Sequence, residues 1–370
     1  MTRLNDLYEV YGQSPWIDNI RRDWLQDGTL ARLVEQGVRG VTSNPSIFAK
    51  ALATSTAYDD AIRHAGPLEP EALFETLAVG DVRNACDVLA GVHQAAQADL
   101  ASGRRRHGDG FVSLEVSPRL ARDTEATIAS ALRLWNEVDR GNLMIKIPAT
   151  VEGLPAISEV LSHGVNVNVT LIFSVDRYAD VIGAWAKGLR GAIAAGHDIS
   201  RLASVASFFV SRVDVAVDKL LPDGDPRRGT AANAQAAQAY DTYQRLFDSP
   251  EILELLGRGA QVQRPLWAST STKNPLYDDL LYVNALVAPE TVNTMPDATL
   301  DAALDHGRFA ASLLLDTTIR RAEASRLDAL EPEVSMSEVT AQLEREGVTA
   351  FVASYEEVLT TVAAAQSRLT

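Results

Sequence analysis

Cysteine is nearly absent from this chain: Cys86 is the single one in 370 residues. An internal disulfide framework is excluded, and a reducing compartment is expected. Histidine is scarce as well. His64, His93, His107, His163, His197 and His306 are scattered, none at metal-ligand spacing to a second histidine or a cysteine, so neither a metal nor another cofactor is expected. Basic residues number 34 against 49 acidic ones, and the net charge of -15 argues against a general nucleic-acid or anionic-membrane binder. An anionic small substrate is not excluded, because it needs only a local cationic pocket. No apolar run is long enough to span a bilayer, and no membrane partner is expected. Met1 to Asp6 contain no apolar h-region, so a cytoplasmic location is expected. A Gly-x-Gly-x-x-Gly turn after the first strand and a phosphate loop ending in Gly-Lys-Ser/Thr are both missing, which lowers the case for a nucleotide-binding open sheet.

What the chain does contain is alternation. Strand-like segments at 16–20, 40–45, 111–116, 143–147, 165–173, 202–210, 264–270 and 291–295 are separated by helical patterns, with few hairpin signals. Eight such units favour a closed (β/α)8 barrel, an α/β fold with additional helices, over an open sheet. A single domain over 1–370 is expected, with a helical C-terminal extension from about 335 to 370 that either covers the barrel mouth or forms a subunit contact. The long stretch 46–100 reads as two or three helices. The loop 103–110, with Arg104, Arg105 and Arg106, reads as an exposed turn.

The most informative strand is Leu143-Met144-Ile145-Lys146-Ile147-Pro148, a short apolar run with one lysine inside it. A lone lysine in such a run more often reaches solvent by snorkelling. The other strands change that reading. Side chains alternate faces along a strand, and one face of each barrel strand points inward. Val112, Leu114 and Val116 alternate with Ser113, Glu115 and Ser117. Val165, Val167, Val169 and Leu171 alternate with Asn166, Asn168 and Thr170. Ser207 and Phe209 share one phase of the sixth strand, and Asp18 and Asn44 sit near the ends of the first two. A parallel sheet is covered on both faces, so a polar inner phase is not explained by solvent exposure. Glu115, Lys146, Asn168, Thr170 and Ser207 are therefore expected to converge at the C-terminal mouth, where active sites of this architecture lie.

A desolvated lysine among carboxylates, hydroxyls and amides, with no metal spacing, suits covalent carbonyl chemistry. The amine adds to a ketone and loses water, and the resulting iminium ion is an electron sink for the adjacent carbon–carbon bond. Glu115 and Asp18 are the carboxylates on the right strands for proton transfer, and Asn44, Asn168 and Ser207 could hold substrate hydroxyls. Arg212 and Lys273, after the sixth and seventh strands, are candidate cations for a phosphate.

The segments that carry these residues resemble the transaldolase family. Gly40-Val41-Thr42-Ser43-Asn44-Pro45-Ser46-Ile47-Phe48 is similar to its N-terminal signature, and Leu143 to Ile157 to its active-site lysine signature. Ser113 to Val116, Asn166 to Ser174 and Ser207 to Arg212 extend the likeness. The resemblance implies a (β/α)8 barrel that transfers a dihydroxyacetone unit between sugar phosphates in the non-oxidative pentose phosphate pathway, as a monomer or homodimer. It implies Lys146 as the Schiff-base nucleophile and Asp18 as the acid/base at the donor's C4 hydroxyl. It further implies Glu115 with Thr170 as the pair that activates water, Asn44, Asn168 and Ser207 as hydroxyl ligands, and Arg212 as a phosphate ligand. Lys273 stands where much of the family has an arginine after a shorter loop. The related fructose-6-phosphate aldolases carry glutamine at the position of Glu115 and tyrosine at that of Phe209, so both residues point to transfer. An aldolase releasing free dihydroxyacetone and a catalytically silent sugar-phosphate-binding barrel are the alternatives.

Overall fold

The computed structural model describes residues 2–331 and 333–369. Seven strands form one sheet: β1 (Gln13–Ile17), β2 (Val112–Glu115), β3 (Leu143–Pro148), β4 (Val167–Ile172), β5 (Ser204–Phe209), β6 (Arg264–Ala268) and β7 (Thr291–Met295). All neighbouring pairs are parallel, in the order β1-β7-β6-β5-β4-β3-β2. Val41 closes the ring by bridging Ile17 on one side and Val112 on the other. Helices fill the connections and cover the outside, as parallel strands require. The helix Val175–Ala194 shows how. Ser174 caps it by accepting from the Arg177 amide, and Tyr178, Val181, Ile182, Trp185 and Leu189 recur at helical spacing and are buried. Each such side chain contributes about 1.5–3 kcal/mol by leaving water.

The second expected strand is reduced to that one bridge. The Ile17 amide donates to the Gly40 carbonyl and the Thr42 amide to the Ile17 carbonyl, at 3.0 and 2.9 Å. On the other side the Val41 amide donates to Phe111 and the Ser113 amide to Val41, both at 2.9 Å. The chain then leaves the sheet at once, because Asn44 caps the helix Pro45–Thr54 through its side-chain oxygen and Pro45 starts it. Two other expectations differ. The stretch 46–100 holds four helices, Pro45–Thr54, Asp59–Ala65, Pro70–Val88 and Ala90–Ala101. The loop 103–110 is exposed only in its first half, since His107, Gly108, Asp109 and Gly110 are buried. Asp109 accepts from Ser14 Oγ, Trp16 Nε1 and Arg39, and pairs with Arg264 at 3.3 Å. Ser14, Asp109 and Arg264 lie at the N-terminal ends of β1, β2 and β6, so the loop seals the barrel floor with a fully buried ionic cluster. Arg105 stacks on Tyr8 and Arg106 pairs with Glu290, so the basic run is a clasp on the floor as well as a turn.

Burial alone would raise the Asp109 carboxyl, but Arg264 and then Arg39 outweigh it and hold it down at about 2. Burial, with Arg264 beside it, pushes the His107 imidazole down to about 3. The unfolded chain takes a proton on His107 near 6.5 and the folded chain does not, so His107 makes stability decline as pH falls from about 6.5 toward 3. The stability contributed by Asp109 is present above about 3.8 and is lost as pH falls toward 2. Urea midpoints measured across pH should show both losses, and His107→Asn should flatten the upper one. A second outcome concerns Gly40. A Cβ there would come within 2.3 Å of the buried Trp16 ring. Gly40→Ala should lower stability by roughly 1–3 kcal/mol through overpacking, read as a lower denaturation midpoint at unchanged slope.

Candidate active site

The inner phase of β2, β3 and β4 carries the polar residues expected from alternation. Register places Glu115 opposite Lys146 and Lys146 opposite Asn168. Lys146 is only 5% exposed, and its Nζ donates to Glu115 Oε2 and to the Ser43 carbonyl, both at 3.1 Å. It does not snorkel, because the Glu115 carboxylate and the Ser43 carbonyl replace water around its amine. Burial raises the Glu115 carboxyl, opposed by the Lys146 charge. Asp18 sits at the end of β1, where its amide donates to the Met295 carbonyl at 2.8 Å. Burial raises its carboxyl as well, against Lys146 and then the Thr42 hydroxyl, which donates to Oδ1 at 2.7 Å. Thr42 also meets Thr294 at 2.6 Å, which holds its hydroxyl in place.

A cavity of about 500 Å³ opens at this end of the barrel. Asp18, Asn44, Lys146, Thr170, Ser207, Phe209, Arg212 and Lys273 all border it. Glu115 and Asn168 sit behind its wall. Glu115 touches the cavity only through Lys146, and Asn168 is occupied, donating to Ser113 Oγ and accepting from Ser207 Oγ at 2.9 and 2.7 Å. Thr170 Oγ1 is buried at the cavity edge with no partner among the described residues, a hydroxyl available to something bound there. The backbone beside it is strained: Leu171 has φ 58°, and the register between β4 and β5 slips there. Ser269, past β6, has φ 56° and borders the same cavity. Non-glycine residues in this conformation gather where a site dictates the backbone path.

Arg212 and Lys273 border the cavity without an ion-pair partner among the described residues. Burial lowers both cations below their ordinary values, and Arg212 adds to the lowering of Lys273. Two like charges held this way would be relieved by a bound anion. Lys50, on the helix after Asn44, borders the cavity from the outside. Arg21 does too, with its Nε and Nη2 bound to Asp23. The strand patterns did not single out Thr42, Ser43, Thr294 or Phe351. The first two lie inside the quoted 40–48 motif, so their signal was present. Phe351 had none. It belongs to the helix Met336–Leu369, which crosses the mouth and packs against Pro45–Thr54 and Pro70–Val88. The C-terminal extension therefore covers the mouth.

A closed parallel α/β barrel with a buried lysine–carboxylate pair, and with two cations at its C-terminal mouth that have no ion-pair partner among the described residues, is the framework of a lysine-centred barrel protein. Residues 15–362 match the family model described as transaldolase/fructose-6-phosphate aldolase. Among curated relatives, a protein named transaldolase from Saccharopolyspora erythraea is 49% identical over 360 residues, covering 95% of this chain and 94% of that one. Another of that name from Thermobifida fusca is 51% identical over 363 residues, covering 95% of each. A third, from Mycobacterium tuberculosis, is 49% identical over 358 residues, covering 94% of this chain and 93% of that one. The chain belongs to the transaldolase/fructose-6-phosphate aldolase family.

The Thr42 hydrogen bond favours the ionised form of Asp18, so Thr42→Val should move the Asp18 carboxyl further up. If Asp18 acts as a base, the acidic limb of the kcat/KM profile should shift to higher pH, with the alkaline limb unmoved. A pH–rate series on both proteins reads this directly.

Proposed function

We propose that the protein is a transaldolase that moves a dihydroxyacetone unit from sedoheptulose 7-phosphate or fructose 6-phosphate to glyceraldehyde 3-phosphate or erythrose 4-phosphate. The observation that carries this reading is the buried Lys146 amine 3.1 Å from Glu115, at the base of a cavity bordered by Arg212 and Lys273. The shared name of relatives about half identical over nearly the whole chain supports it.

The donor's phosphate is held by Arg212 and Lys273, which orients its ketone toward Lys146. The amine, once deprotonated, attacks the C2 carbonyl. Glu115, through a water held by Thr170, supplies and removes protons as the carbinolamine forms and dehydrates. Burial that raises the Glu115 and Asp18 carboxyls brings them toward the pH at which each can both take and give a proton. Asp18 takes the proton of the C4 hydroxyl, the C3–C4 bond breaks, and its electrons enter the iminium to leave a three-carbon enamine. Asn44 and Ser207 bind donor hydroxyls, with Asn168 fixing the Ser207 hydroxyl. The aldose phosphate leaves, and the acceptor aldehyde runs the steps in reverse. The role in the non-oxidative pentose phosphate pathway and a cytoplasmic location go with this reading.

Sodium borohydride with fructose 6-phosphate should leave a stable adduct on Lys146, located by peptide mass mapping. No adduct, or one on another lysine, overturns the mechanism. Glu115→Gln should slow Schiff-base exchange by about 10²-fold or more with little change in folding stability. Unchanged turnover would remove Glu115 from the chemistry.

A further inference from the structure

We infer that Phe351, on the C-terminal helix, is the shield that keeps bulk water from the lysine-bound three-carbon intermediate and so sets the balance between transfer and release. The inference rests on the transaldolase reading and adds to it a residue outside the barrel strands. Phe351 borders the catalytic cavity, is 7% exposed, and lies with its ring centroid 5.5 Å from Lys146 Nζ. Asp18, Thr42, Thr170 and Ser207 give the same cavity polar lining, and Phe209 and Phe351 are its aromatic members. Phe351 is the apolar cover on that amine.

The helix holds the ring at a defined depth. One turn before it, Gly347 lies against the strained part of β4. A Cβ on Gly347 would meet Leu171 Cδ2 at 3.1 Å and Phe173 Cε2 at 3.3 Å, tighter than ordinary contact. Gly347 and Phe351, four residues apart, share a helix face, so the close approach at the first sets the reach of the second. Beyond Phe351 the helix is tied to the barrel rim. Ser46 donates to Ser354 at 2.8 Å, Tyr355 donates to Glu71 at 2.8 Å, and Arg119 makes a two-pronged pair with Glu356. Such ties fix one side chain over one amine.

The two fates differ in what must reach the intermediate. Release needs a proton on the enamine carbon and then a water. The water oxygen bonds to the iminium carbon, its two protons pass by way of Glu115 to the nitrogen, the C–N bond breaks with its electron pair on that nitrogen, and free dihydroxyacetone leaves the lysine ammonium. Transfer needs an aldehyde instead. The enamine carbon bonds to the aldehyde carbon, and the aldehyde oxygen takes a proton from Asp18. A ring over the amine hinders the first and leaves open the cavity side from which the phosphorylated acceptor enters.

The test compares the unaltered protein with Phe351→Leu, Phe351→Ala and Gly347→Ala, each at a concentration fixed by borohydride-trapped Lys146 adduct. Free dihydroxyacetone formed from fructose 6-phosphate alone is divided by sedoheptulose 7-phosphate formed when erythrose 4-phosphate is added. That ratio should rise about tenfold in Phe351→Ala and by less in Phe351→Leu. Gly347→Ala, which borders no part of the cavity, should move it the same way, by roughly threefold, by lifting the helix. A ratio equal to the unaltered protein's in those variants that fold would overturn the inference even if all rates fell. Absence of the Lys146 adduct in the unaltered protein would instead overturn the covalent reading beneath it, a distinct result.

Discussion

Lys146 Nζ and the Glu115 carboxylate, 3.1 Å apart and almost wholly removed from water, are the contact on which the mouth of the barrel depends. Taking two opposite charges out of water costs several kcal/mol per ion, about what their attraction returns when the geometry is good. Such a pair adds little net stability, and removing either partner leaves an uncompensated charge. The barrel supplies what the pair needs. Parallel register puts Glu115 beside Lys146, the short Val41 bridge brings the Ser43 carbonyl to the amine, and the C-terminal helix closes the space above it.

The two ends of the barrel handle buried charge differently. At the floor, Asp109 is held by Arg264, Arg39, Ser14 and Trp16, so its carboxylate is saturated and stays ionised. At the mouth, Asp18 and Glu115 have fewer partners, and burial pushes their carboxyls upward. A saturated cluster locks the fold and cannot exchange protons in the neutral range. An undersatisfied one has its carboxyls raised by burial instead. The same chemical groups thus form a saturated cluster at one end and an undersatisfied one at the other, according to how many donors surround them.

Most of the strand framework was legible because the alternation was clean. Asn166, Asn168 and Thr170 share a face for the covalent reason that successive side chains leave a strand on opposite sides. Ser113 and Glu115 follow the same rule, and the lysine strand between them had only one inward choice for Lys146. The second strand was legible in position but not in extent, since Gly40 lies under Trp16 and Asn44 turns the chain into a helix after a single bridging residue. The loop 103–110 was misjudged in its second half. Its Asp109 is buried by partners on β1 and β6 that lie far away in sequence, and no local pattern announces them.

The sequence by itself determined the parallel barrel pattern, the inward phase of Lys146, Glu115, Thr170 and Ser207, and the family, because periodicity and motifs are local properties of the chain. Tertiary structure alone decided that Asn168 faces Ser113 and Ser207, that Thr42 and Thr294 steady Asp18, and that Phe351 lies over the amine. Along its own helix Phe351 is one of two buried aromatic residues, the other being Tyr355. Which barrel residue it covers depends on closing the ring and seating that helix across the mouth, and those are contacts between distant segments.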